Sequence, residues 1–287
     1  MIGVIFALLC AVFVGFSQIS LRKSYKEMSP SIAFLFDSIF GLLIWVPLAV
    51  FMGISSGANL GEALIFAVIS AILSEAMVFY ALSHGELSVT ATVIATYPVY
   101  TVIFSRIINQ EYMSVGIVLF VVLTILGSIV ASLPSKSEIK VNKAVIWPFI
   151  AAICIGLSDT ISKGYINRSG DFSFLIMLGF IQIPIALAYL RIEKESFLDS
   201  VEGVLKRFKD YKYALLGGLF NIIGTGFLWL SFSYAPASIA SPITGSNGVF
   251  TVLLSRFLLK EKISKIKYLG IFLAFVGVIG IAVLRES

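Results

Sequence analysis

The sequence predicts an all-α integral membrane protein, with ten transmembrane helices arranged as two inverted five-helix repeats. Three observations carry that expectation. Of 287 residues, 59% are hydrophobic and 13% charged, against about 45–50% and about 25% in an ordinary soluble domain. Ten apolar stretches follow one another along the chain, each near the roughly 20 residues a helix needs to cross a hydrocarbon core of about 30 Å. Polar residues also recur at a fixed offset of 150 positions. A soluble particle of this size cannot hide so much apolar surface, so the bilayer is the solvent. The composition excludes disordered and collagen-like chains and argues against a soluble enzyme. The net charge of +5 belongs to loops at a membrane surface and is no nucleic-acid footprint.

Taken in order, span 1 covers Ile2–Leu21. It has neither a basic stretch before the apolar run nor a small-residue cleavage site, so it reads as a helix of the mature protein and not as a signal peptide. Span 2, Ser31–Met52, carries Asp37, and span 3, Glu62–Ser83, carries Glu75. Span 4, Leu87–Ile107, sets Ser88, Thr92, Thr96 and Tyr100 on one helical face. Pro98 lacks an N–H, frees the carbonyl of Ile94 and kinks this span. Span 5, Met113–Leu133, completes the first repeat, residues 1–133. The second repeat, 144–287, opens with span 6, Ala144–Lys163, and span 7, Phe172–Arg191. Beyond Arg191, Phe197, Leu198, Val201, Val204, Leu205, Phe208 and Tyr211 recur at helical spacing beside Lys206, Arg207, Lys209 and Lys212. Residues 195–212 therefore read as an amphipathic helix in an anionic interface, with a plain solvated loop as the alternative. Span 8, Tyr213–Tyr234, carries Gly217, Asn221, Gly224, Thr225 and Trp229. Span 9, Ala237–Phe257, carries Thr244, Gly248, Thr251 and Ser255, and span 10 is Ile266–Leu284.

The loops after the odd-numbered spans carry 17 Lys and Arg; the remaining loops and the termini hold only Arg106, Lys163, Arg168 and Arg285. The positive-inside rule then puts both termini outside the cytoplasm.

A shift of 150 lays spans 3–5 on spans 8–10 without a gap. Ser83 falls on Ser233, Ser88 on Ser238, Thr101-Val102 on Thr251-Val252, and Ser105-Arg106 on Ser255-Arg256. Glu111 falls on Glu261, Ser114 on Ser264 and Gly127 on Gly277. A shift of 141 lays Gly15-Phe16-Ser17 on Gly156-Leu157-Ser158. Five spans is an odd number, so the two copies cross the membrane in opposite directions. Inverted repeats are the architecture of alternating-access transporters, with substrate held between them near the midplane.

With these features the chain resembles the drug/metabolite transporter superfamily, specifically its EamA-type members. The resemblance covers essentially the whole chain and rests on the five-plus-five helices, Phe79-Tyr80-Ala81-Leu82 at the end of span 3, Pro98 in span 4, and Glu111 and Glu261 before spans 5 and 10. It implies secondary transport, often export, of small metabolites such as amino acids, amines or drugs. The chain departs from the family in having Asp37 where members commonly carry an arginine, and Asn247-Gly248 where its own first repeat has Tyr97-Pro98. It also has Gln18 where the small multidrug relatives use a first-helix glutamate.

An acid at the centre of a spanning helix costs about 2.5–3.5 kcal/mol on insertion scales. Glu75 lies about 20 Å along span 3 and Asp37 about 9 Å along the antiparallel span 2, so the two share a depth. Facing each other, they would titrate as a coupled pair. The expectation is that Glu75, assisted by Asp37, binds a proton or a cationic group of the substrate; the plainer alternative is a pair of buried neutral acids. Tyr97, Asn221, Trp229 and Asn247 are large and need partners, and with Thr96 and Tyr100 they complete the expected substrate-binding set. For the smaller serines and threonines, close helix packing is an equal explanation.

Asp159 and Gln18 read as solvated helix ends in preference to gates, and His84 and Glu86 as parts of a solvated turn. Lys163 and Arg191 read as helix-end residues that snorkel, which leaves no basic residue deep in a span. That favours cationic, zwitterionic or neutral substrates over phosphorylated ones. Cys10 and Cys154 lack any metal or redox spacing, and a single histidine, His84, builds neither a zinc site nor a hydrolase triad. No nucleotide-binding loop occurs.

The expectation is thus a secondary transporter, not an enzyme, in a bacterial or archaeal plasma membrane. It has no catalytic residue, cofactor or metal, and its partners are a small-molecule substrate, the lipid bilayer and, with coupling, protons. An amino acid or amine moves by alternating access, in the export direction. The alternatives are an uncoupled uniporter or exchanger of neutral metabolites, a membrane-embedded lipid-handling enzyme, and a non-transporting structural or sensory subunit.

Overall fold

A computed structural model describes residues 1–22, 28–54, 57–84, 87–133, 146–260 and 263–286. Among them there is no strand, and ten helices are long and apolar enough to cross a membrane. Their bounds follow the apolar stretches to within a few residues, with capping chemistry setting the differences. Span 2 starts at Pro30, where a proline is pre-set for the first helical turn and Ser29 accepts from the Ile32 amide. Span 5 starts at Val115 because Ser114 caps it, accepting from the Ile117 amide. Span 6 runs to Ser169, six residues past the end expected from sequence, and Lys163 is consequently not a snorkelling end residue. It is 6% exposed and donates to the carbonyl of Phe232 on span 8. The helix continues because Tyr165 and Ile166 belong to the core, and it stops where Gly170 adopts φ 86°, a left-handed conformation that suits glycine and turns the chain directly into span 7.

Three spans depart from a straight α-helix. Span 3 contains a π turn over Ala71–Ala76. Span 4 is two helices, Leu87–Ile94 and Tyr97–Ile108, and span 9 is two helices, Ala237–Thr244 and Asn247–Leu258. The breaks share one local chemistry. Thr96 Oγ1 donates to the Val93 carbonyl at 2.7 Å and Ser246 Oγ to the Ile243 carbonyl at 2.6 Å, each capturing a carbonyl of the preceding turn. Pro98 therefore does not explain the break in span 9, where Gly248 stands in the matching place.

The stretch read as amphipathic is helical over Phe197–Lys206 and from Phe208 onward. Helix Phe197–Lys206 is capped by Ser196 and bends at Arg207 into the long helix Phe208–Tyr234 that contains span 8. Val204 and Tyr211 pack inward while Leu198, Leu205 and Phe208 are exposed.

Packing is dominated by contacts between the two halves of the chain. Span 1 lies along span 8 and the second half of span 9; span 6 lies along span 3 and the second half of span 4. Span 2 pairs with spans 7 and 8, span 7 also with span 3, and span 5 with span 10. Individual contacts repeat in the registers seen in the sequence. Gly15 faces Phe250 and Thr251, and Gly156 faces Tyr100 and Thr101. Gly127 faces Ala274, and Gly277 faces Thr124. On the outside, Phe51, Ile65, Leu119, Phe180, Phe272 and Ile279 are exposed, an apolar girdle that water would not tolerate and acyl chains do.

Candidate functional site

Spans 2, 3 and 8 bring Asp37, Glu75 and Asn221 together. Two features draw span 8 onto span 2. Trp45 Nε1 donates to the Ile222 carbonyl at 3.1 Å, and Gly218 lacks the Cβ that would stand 2.4 Å from Asp37 Oδ1. Asn221 Nδ2 then donates to Asp37 Oδ2 at 2.8 Å. The Asp37 side chain is 4% exposed. Glu75 is half-buried, has no hydrogen-bond partner among the described residues, and lies within electrostatic range of Asp37. It sits in the π turn of span 3, which Ser70 pins to span 6 through Ser158 at 2.9 Å. Such turns widen a helix locally and are frequent at functional sites. Two carboxyls, one held by an amide and one free to reach a visitor, form a cluster fit for an ammonium group or a proton. Among the described residues no basic side chain pairs with either acid, and no group of three potential metal ligands occurs.

The other expected site residues lie elsewhere. Tyr97 is buried, and its hydroxyl meets Thr244 Oγ1 at 2.8 Å and the Ser241 carbonyl at 3.3 Å. Asn247 accepts from Gln18 Nε2 at 3.2 Å. Thr96 spends its hydroxyl on the helix break, Tyr100 packs against span 6 beside Gly156, and Trp229 stacks edge-on with Phe174 and Phe232 in the core. His84 is exposed at the end of span 3 and stacked on Tyr80, while Glu86 and Glu261 lie outside the described residues. Both cysteines are free.

Two residues read as solvated ends are nothing of the kind. Asp159 is 1% exposed and accepts from Ser241 and Thr101; Gln18 bonds Asn247 and Thr251. The longer span 6 is what buries Asp159, ten residues from the helix end at Ser169 instead of four from one at Lys163. A further contact not expected from sequence joins the two halves. Glu111 accepts from the amides of Ala237 and Ser238 at 3.0 and 2.9 Å and from Ser238 Oγ at 2.5 Å, capping the first turn of span 9.

A family model described as the EamA-like transporter family matches residues 1–133 and 142–283. The chain belongs to the EamA-like transporter family. An uncharacterized transporter of Archaeoglobus fulgidus is 24% identical over 291 residues, covering 97% of each chain. A probable magnesium transporter of Arabidopsis thaliana, NIPA9, is 32% identical over 78 residues, which is 27% of this chain and 23% of that protein. One crystal structure at 11% identity superposes with a TM-score of 0.80 over 99% of this chain and 97% of its own, a likeness of fold. The EamA-like assignment agrees with the ten spans and makes this an integral membrane transporter whose substrate is a small molecule.

Proposed function

We propose that this transporter moves a small organic cation or zwitterion, an amine or amino acid first, by alternating access, and exports it. Asp37, Glu75 and Asn221 receive its ammonium group, and Glu75 with Asp37 exchanges that group for a proton. The observation that carries the reading is the carboxyl pair at one depth between spans 2, 3 and 8, one member tied to Asn221 and the other left without a partner. A buried acid without a basic neighbour is expensive in a bilayer, and such residues mark substrate and ion pathways. The contacts that repeat on exchanging the halves, Gly15 with Gly156 and Gly127 with Gly277, support an inverted five-plus-five arrangement. The charge imbalance between alternate loops supports both termini outside. The match to the magnesium transporter covers too little of either chain to choose a metal ion, so Mg²⁺ enters as a comparison.

The test is a thermal-shift screen of the purified chain in nanodiscs at two pH values. Amino acids, polyamines, nucleosides, sugars, sugar phosphates and Mg²⁺ are compared on wild type and Glu75→Gln. The expected result is stabilisation by an ammonium compound that Glu75→Gln abolishes, followed by the same dependence in liposome flux. Stabilisation only by sugar phosphates, or by any compound equally in both proteins, would overturn the assignment of the site.

A further inference from the structure

Asp159 stands apart from that cluster, at the point where spans 4, 6 and 9 meet. Its Oδ2 accepts from Ser241 Oγ at 2.5 Å and from Thr101 Oγ1 at 3.2 Å. Its Oδ1 is buried without a hydrogen-bond partner among the described residues. The two donors come from the two broken spans, Thr101 just after the break in span 4 and Ser241 just before the break in span 9. The Tyr97 hydroxyl ties the same segments together through Thr244.

The other half of the chain does the equivalent job without an ionisable group. Gln18 corresponds to Asp159 by the shift of 141, and Thr251 to Thr101 by the shift of 150. Thr251 Oγ1 donates to Gln18 Oε1 at 2.7 Å, as Thr101 does to Asp159. An amide thus supplies the acceptor this packing needs, and its second group is satisfied by Asn247. What Asp159 adds is the ability to hold or lose a proton. A carboxylate with one oxygen unbonded in a dry interior is a poorly compensated charge, whereas in the neutral acid Oδ2 remains the acceptor of both hydroxyls and the unbonded Oδ1 carries the proton, leaving only an unpaired O–H.

We propose that Asp159 is a proton-binding site of its own, protonated while spans 4, 6 and 9 are clasped and deprotonated when they part. On opening, the carboxyl O–H bond breaks, the proton passes to entering water as hydronium, and the carboxylate keeps the electron pair and is hydrated. Closing reverses each step. The titratable groups facing Asp159 are Tyr97 on span 4 and Cys10 on span 1. Lys163 lies one turn along the same helix and is engaged with the Phe232 carbonyl, and Glu75 on span 3 belongs to the separate cluster with Asp37. Span 9 carries no titratable side chain before Arg256, and span 8 none between Tyr213 and Tyr234. The clasp rests on the transporter reading only for the purpose of its opening; the protonation stands without a substrate.

The experiment is infrared difference spectroscopy of the full chain in nanodiscs during a pH titration, following the carbonyl stretch of protonated carboxyls. A titrating band is expected to survive in Asp37→Asn/Glu75→Gln and to vanish on adding Asp159→Asn, whose amide imitates the role of Gln18. No band in the double variant, or a band indifferent to Asp159→Asn, would overturn the site. Should Asp159→Asn not fold, Ser241→Ala in the double variant must displace the band and its midpoint; an unchanged band overturns the proposal equally. Amide exchange over 237–244, corrected for its intrinsic pH dependence, should rise across the same midpoint in wild type and stay flat in Asp159→Asn. Exchange indifferent to the midpoint would remove the clasp. Failure to find any transported compound would leave these readouts intact, so the two proposals fail separately.

Discussion

Replacing Gly127 by alanine puts a methyl group into the seam between spans 5 and 10. A Cβ there stands 2.3 Å from the Ala274 amide nitrogen and 2.7 Å from the Gly270 carbonyl oxygen, where ordinary contact begins near 3.4 Å. Both obstacles are backbone, so no side chain can swing aside, and the helices must separate locally by about 1 Å. Separation of that size forfeits roughly a quarter to a half of each affected dispersion contact. Overpacking of this kind costs about 1–3 kcal/mol. The matching substitution, Gly277→Ala, meets the Thr124 amide nitrogen at 2.6 Å and should cost a similar amount. Once either methyl has parted the seam, the second meets less resistance, so the double variant should lose clearly less than the sum of the singles. Gly203 has nothing within 4 Å of its missing Cβ, and Gly203→Ala in the helix Phe197–Lys206 should be neutral or gain about 0.5–1 kcal/mol. Thermal unfolding in nanodiscs, read by tryptophan fluorescence, is the assay, with losses on the order of 2–10 °C for the single variants. A Gly127→Ala protein that melts with wild type, or a double variant whose loss is the full sum, would refute the reasoning.

Glu111→Ala removes three hydrogen bonds from the first turn of span 9 and should lower stability by about 1–2 kcal/mol; Glu111→Gln, which keeps one acceptor, should lose less. Equal melting of the two variants would show that the cap is not what Glu111 supplies. Ser246→Ala and Thr96→Val each delete a hydroxyl that holds a break, at about 0.5–1.5 kcal/mol, but their effects on shape should differ. Span 4 stays broken because Pro98 follows its break and has no N–H, whereas in span 9 the proline, Pro242, precedes the break and the amides of 246–249 can rejoin a continuous helix. Amide exchange at 245–249 should slow in Ser246→Ala, and no comparable change is expected around Thr96.

The spans were legible because their signal is length and composition, which a bilayer imposes on every crossing helix. The end of span 6 was not, since Lys163 and Arg168 look like a polar boundary until one sees the Phe232 carbonyl waiting for the ammonium group. That single misplaced end also disguised Asp159 as a solvated residue. Depth alone set Asp37 and Glu75 at one level without showing whether they face each other, and Asn221 stood out only as a large polar residue in need of a partner. The scatter of Tyr97, Asn247, Tyr100 and Trp229 was invisible, because helix rotation about its axis leaves no trace in a sequence that is apolar on most faces. The break in span 9 did have a signal. Ser246 falls on Thr96 at the shift of 150, and reading hydroxyls in place of prolines would have found it.

The intimate pairing of early spans with late ones has a consequence for how the molecule is made. Span 1 leaves the ribosome long before its main neighbours, spans 8 and 9, and span 5 waits for span 10. A nascent chain ending near residue 133 holds five inserted helices with few of their final contacts, and Gly15, Gly127 and Glu111 have nothing to fit against. Insertion and assembly are therefore separate events for this protein, with the helices parked in the membrane until the closing third of the chain arrives. Coexpressed halves should find each other, and either half alone should be a substrate for membrane quality control.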